Sequence, residues 1–97
     1  MTEYELSDAA LVQLVGYALE NVEGVRVAGS KRRAVRVFRE GEEVGIELSL
    51  VAEYGRPLEA LAREVQRVVG ETLLASAGVK TAYVDVNFLE VVPADAS

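Results

Sequence analysis

Cysteine, histidine and tryptophan are all absent from this chain. Without Cys there is no disulfide, no thiolate nucleophile and no zinc–thiolate site, and without His the commonest metal ligand and general base is gone. Most familiar hydrolase and metalloenzyme designs are thereby excluded. Lack of Cys also fits a reducing cytosol, without requiring one.

Long apolar runs are missing too. No stretch approaches the roughly 20 residues that span a bilayer. The opening Met1-Thr2-Glu3-Tyr4-Glu5 is acidic where a targeting segment would be basic, so a soluble chain is expected. Positive charge is scarce: 10 Lys and Arg stand against 16 Asp and Glu, a net charge of -6. That balance opposes unaided binding to nucleic acid or to an anionic leaflet, although a local basic patch still acts within a Debye length of about 8 to 10 Å.

What is present is apolar and periodic. With 97 residues and 51% hydrophobic side chains, the chain is long enough to bury one ordinary core. A single domain over 5–92 with a frayed tail over 93–97 is expected. Ser7 is a good helix N-cap, and Leu11, Leu14, Val15, Ala18 and Val22 behind it recur at the three-and-four spacing of one helix face. A helix from Asp8 to about Val22 follows, with Gly24 as its left-handed C-terminal cap. Gly16 within it is either a point of close packing or merely tolerated.

Val25 and Val27 alternate over a short strand that ends in a turn, Ala28-Gly29-Ser30-Lys31. A second strand places Val35 and Val37 on one side and Arg36 and Phe38 on the other. Glu40-Gly41-Glu42 reads as a hairpin turn. The alternation of Val44, Ile46, Leu48, Leu50 and Ala52 with Gly45, Glu47, Ser49, Val51 and Glu53 is the clearest strand signal in the chain. Pro57 opens a second helix, whose stripe of Leu58, Leu61, Val65, Val68, Val69 and Leu73 ends at Gly78. From Val79 to Val92 the chain alternates again, with Ala82, Val84, Val86 and Phe88 on one face and Tyr83, Asp85, Asn87, Leu89 and Val91 on the other. Pro93 stops that strand.

The order α-β-β-β-α-β predicts an α+β fold: a mixed sheet of three to four strands with two helices packed on one face. Adjacent hairpins would make the first three strands antiparallel. A right-handed crossover would bring the last strand back parallel to the third and beside the second.

The uncovered face then carries the interface candidates Arg36, Phe38, Val51, Tyr83, Asp85, Asn87 and Leu89. Phe38, Val51, Leu89 and Val91 with Tyr83 would form one apolar patch for self-association or partner docking; the alternative is scattered residues shielded by long Arg and Glu side chains. Lys31, Arg32, Arg33, Arg36 and Arg39 make a basic patch, read either as a solvated turn or as a phosphate contact of a small RNA-binding domain using the turn and the open sheet face. The turn lacks the two-glycine clamp of KH domains, and the aromatic RNP signature is missing. Neither Glu40, Glu42 and Glu43 nor Asp85 with Asn87 has the spacing of a calcium loop, and no cofactor is implied. No nucleophile is signalled beside any carboxylate pair, so no catalytic residue is assigned. Gln66 lies at the margin of the buried stripe and is read as a lock between the second helix and the loop at Tyr54-Gly55, or as a rim contact to a partner.

Ser7 and Val15, the Glu23-Gly24-Val25 exit, Tyr54-Gly55 with Pro57-Leu58, Val65-Gln66 with Val69, Gly78, and Val84 with Val86 together resemble the alkaline shock protein family, small proteins linked to the bacterial cell-envelope stress response. The resemblance covers about Glu5 to Val92. It implies a non-enzymatic, cytoplasmic protein that self-associates or docks on a membrane-anchored partner, peripheral at the membrane through that partner. Gly24, Tyr54, Gly55, Pro57, Gln66 and Gly78 are structural positions in this reading. Longer relatives carry charged or low-complexity extensions that this chain lacks, and Asp85 stands where many relatives would have asparagine.

Overall fold

The structure, a computed structural model, describes residues 6–93. The expectations for the acidic opening segment and for 94–97 of the tail lie outside the described residues. The elements run α1 (Asp8–Leu19), β1 (Val25–Val27), α2 (Lys31–Ala34), β2 (Val35–Glu40), β3 (Glu43–Glu53), α3 (Leu58–Ala77) and β4 (Thr81–Val92).

Ser7 caps α1 as expected, its hydroxyl accepting the Ala10 amide at 3.1 Å. The helix stops earlier than its apolar spacing suggests. Asn21 and Val22 donate three residues back, to the carbonyls of Ala18 and Leu19, and this tighter turn carries Val22 into the core beyond the helix proper. Gly24 is therefore not the helix cap. It has φ 89°, but it turns the chain into β1, and its carbonyl accepts the Glu53 amide at 2.9 Å. Gly78 does cap α3, at φ 65°, with the Gly78 and Val79 amides donating to the carbonyls of Leu74 and Leu73.

The sheet is mixed, and β3 is its centre. β1 and β2 both pair antiparallel along the same edge of β3, β1 through Val25–Ala52 and Val27–Leu50, β2 through Val35–Leu48 and Val37–Ile46. They are thus two pieces of one edge strand, not the two arms of a hairpin. The expected turn between them is an excursion containing the single-turn helix α2. Because β1 and β2 fill one edge of the eleven-residue β3, the returning strand takes the other edge. β4 lies parallel to β3 itself and not beside β2.

Helices α1 and α3 pack on one sheet face, as the two stripes require. Leu11, Val15 and Ala18 of α1 meet Ile46, Leu48 and Leu50 of β3 and Val65, Val69 and Leu73 of α3 in one buried cluster. Among the described residues no buried side chain is polar or charged. Gly16 is a close-packing point: the aliphatic chain of Lys31 from α2 lies where a Cβ would stand.

Candidate functional site

The uncovered face of the sheet is built in rows, because side chains on one face of neighbouring strands stand side by side about 5 Å apart. Near the start of β3 the register places Phe38, Gly45 and Tyr83 in one row, and Arg36, Glu47 and Asp85 in the next. Ser49 and Asn87 follow, and beyond them Arg26, Val51 and Glu90. At the opposite end the row is Glu40 with Glu43.

Two irregularities in β4 revise the predicted faces. The register slips at Ala82 and again at Leu89, each time adding one residue to β4 with no partner on β3. Ala82 accordingly leaves the helix-side set. Leu89 is the unpaired residue of the second bulge and is 65% exposed. Beyond it the alternation inverts: Val91 pairs with Ala52 on the helix side, while Glu90 comes level with Val51 on the uncovered face.

The predicted single apolar patch therefore does not exist. Val91 is on the other side. Val51 is only 6% exposed, so it offers little contact surface. Six residue steps along β3, about 20 Å of strand, separate the Phe38–Tyr83 row from the Val51–Leu89 end, and the intervening rows are polar. Of the seven interface candidates, the fold brings Arg36, Phe38, Tyr83 and Asp85 together on two adjacent rows. Asn87 stands one row on, its amide reaching the Leu48 carbonyl at 3.4 Å, and Val51 and Leu89 lie at the far end.

Gly45 makes the aromatic row. The Tyr83 ring occupies the place where a side chain at position 45 would begin, and Phe38 flanks the glycine from the other edge. Arg36 lies over the Phe38 ring, its guanidinium carbon 5.4 Å from the centroid, and approaches Glu47 at 3.9 Å. Tyr83 holds its proton above the ordinary phenol range, first because its surroundings strip water from the phenolate, and then because Glu40, Glu47 and Asp85 repel it. Glu40, Glu43 and Asp85 have no ion-pair partner among the described residues. Sequence reading put Gly45 on this face by alternation but missed Glu43, which the same alternation reaches when carried one step back from Gly45.

The five basic residues do not form a patch. Lys31, Arg32 and Arg33 sit on α2, beside α1 on the helix side. Arg36 is on the uncovered face. Arg39 is on the helix side, donating to the Leu6 carbonyl at 2.7 Å and to Asp8 at 2.8 Å. Strand alternation separates Arg36 from Arg39, and the excursion removes the other three, so the RNA reading loses the single surface it needs.

Gln66 does not reach the Tyr54-Gly55 loop. More than two turns of α3 lie between them, and its amide donates instead to the Val84 carbonyl at 3.0 Å, on the outer edge of β4. The loop is held otherwise. Arg56 lies against Gly24 and bridges Glu23 at 3.6 Å and Glu53 at 3.5 Å, while Gly55 turns at φ 97° and Tyr54 projects into solvent. Pro57 stands just before the first turn of α3, its carbonyl accepting the Leu61 amide. An open cleft of about 460 Å³ between Asn21–Glu23 and Arg56–Glu64 carries carboxylates and a guanidinium but no hydroxyl or thiol nucleophile. A second of about 460 Å³ lies between Asp8, Val12, Gln13 and α2. Among the described residues no cluster of carboxylates is placed to hold a metal ion, and no helix is long and apolar enough to cross a membrane.

Two helices on one side of a mixed sheet, with an aromatic and acidic row left on the other, define a small α+β domain. A family model for alkaline shock protein 23, described as having a cell envelope-related function, matches residues 1–93. The chain belongs to the alkaline shock protein family. No curated protein and no solved structure matches it.

Proposed function

We propose that this chain is a non-enzymatic binding module of the cell envelope, working as a scaffold through protein contacts made by the uncovered sheet face, in the cytoplasm and held at the membrane by a protein partner. The observation that carries this reading is the Phe38–Gly45–Tyr83 row. Two half-exposed aromatic rings stand on a sheet face that no helix of the described residues covers, in a family of cell envelope-related function. Aromatic residues ringed by charge are the usual anchors of protein interfaces, since they supply area and a rigid shape while the rim supplies selectivity.

The test is co-sedimentation of the purified chain with native envelope membranes, with the same membranes after protease stripping, and with protein-free anionic vesicles. Retention only on untreated membranes, lost with Phe38→Asp, is the expected result. Equal retention on protein-free vesicles, or unchanged binding by Phe38→Asp, overturns the proposal.

A further inference from the structure

The net negative charge of this chain is unevenly spread. On the uncovered face, the end of the sheet around Tyr83 carries Glu40, Glu43 and Asp85 with no cation to pair them among the described residues. At the edge beside α1, the exposed α2 carries Lys31, Arg32 and Arg33 with no anion to pair them among the same residues. The two groups sit on opposite sides of one sheet, so a single copy cannot bring them together.

The aromatic row shows how such a cation is received. Phe38 already has a guanidinium over its ring, from Arg36 of its own strand. Tyr83, on the far side of Gly45, has carboxylates around it and no guanidinium among the described residues; its proton affinity is raised first by the loss of water around the phenol and then by Glu40, Glu47 and Asp85. An arginine from outside, stacked on Tyr83 and facing Asp85 and Glu40, would repeat the Arg36 arrangement on the opposite flank.

Resting on the binding-module reading, we propose that the occupant of the Tyr83 end of the sheet face is the basic α2 turn of a second copy of this chain. The contact joins two different surfaces, so each bound pair still offers one free surface of each kind. Association of this type is heterologous and continues into strings or rings instead of stopping at a twofold dimer.

Sedimentation velocity across a concentration series, at low and at physiological salt, tests it with three proteins. The wild type should form species larger than a dimer at low salt and lose them as salt rises, because exposed charges are screened. Lys31→Glu/Arg32→Glu/Arg33→Glu and Glu43→Lys/Asp85→Lys should each weaken self-association about tenfold or more, since like charges then meet across the contact. An equimolar mixture of the two variants should associate again beyond a dimer, the reversed turn fitting the reversed face and the native turn of one variant fitting the native face of the other in alternation. A wild type that is monomeric at every concentration overturns this inference and leaves docking to an envelope protein to the membrane experiment. Self-association that is indifferent to salt, or unchanged in both variants, overturns it as well and places the contact between copies elsewhere. All five substituted positions carry side chains outside the buried core, and matching circular dichroism and melting curves confirm that the variants are folded.

Discussion

The ring of Tyr83 lies across Gly45, occupying the place where any other residue at position 45 would begin its side chain. Cross-strand covering of a glycine by an aromatic neighbour shields a backbone that would otherwise be open to water, and here it also fixes where the phenol stands among Glu40, Glu47 and Asp85.

The first prediction concerns that phenol. When tyrosinate absorbance is followed with pH, Tyr83 should ionise above the ordinary phenol range, with Tyr83→Phe identifying its step. The folded state holds this proton more tightly than the unfolded chain, so its contribution to stability is complete below about pH 10 and disappears as pH rises through the higher folded value. Asp85→Asn should move the step toward the ordinary phenol range. An unmoved step would show that the carboxylates do not act on Tyr83.

Removal of the Gln66 amide is the second. Gln66→Ala leaves the Val84 carbonyl on a solvent-accessible strand edge, where water replaces the lost donor, and should cost only about 0.5–1.5 kcal/mol in urea unfolding. Gln66→Glu sets a carboxylate against that carbonyl, so it should be worse than Gln66→Ala at neutral pH and recover on acidification. Equal stability of the two variants at neutral pH would contradict the hydrogen bond.

In the core, the third prediction separates two leucine-sized residues. Ile46 is fully buried in the central cluster, and Ile46→Ala should cost about 2–5 kcal/mol. Leu61, near the start of α3, lines an open cleft and lies outside that cluster, so Leu61→Ala should fall at or below the lower end of the same range. Chemical denaturation measures both. A larger loss at Leu61 would move the centre of the core toward the helix start.

A fourth concerns Arg36. Its contacts with the Phe38 ring and with Glu47 are both at the surface, and Arg36→Ala should change stability by less than about 1 kcal/mol. A thermal melt is sufficient, and a loss of several kcal/mol would mean that Arg36 holds the sheet together.

Much of this architecture was legible in the residues. Ser7, Gly78 and the stripe from Leu61 to Leu73 act locally, through capping and helical period, and they predicted α1, α3 and the strand alternation of β3. Relations between distant segments were not legible. Which edge of β3 receives β4 depends on β1 and β2 sharing the other, and α2 lies hidden in a stretch that reads as a turn. The bulges at Ala82 and Leu89 adjust β4 to its neighbour over its full length, and a strand read alone gives no sign of them. For the candidate face the same division holds: Arg36, Phe38, Tyr83 and Asp85 followed from alternation before the second bulge, and Val91 failed after it. Gln66 was recognisable as an amide needing a partner, but the partner lay on a strand whose position was not yet known.

The central position of β3 also governs the order of assembly. Its antiparallel neighbour β2 is one tight turn away and forms as soon as both are synthesised. Its parallel neighbour β4 is separated from it by the whole of α3, so every chain emerging from the ribosome passes through a stage in which the central strand has one bare flank. During that interval the backbone of β3 is a template for any passing extended segment, and α3, which arrives before β4, is the next native element able to screen it.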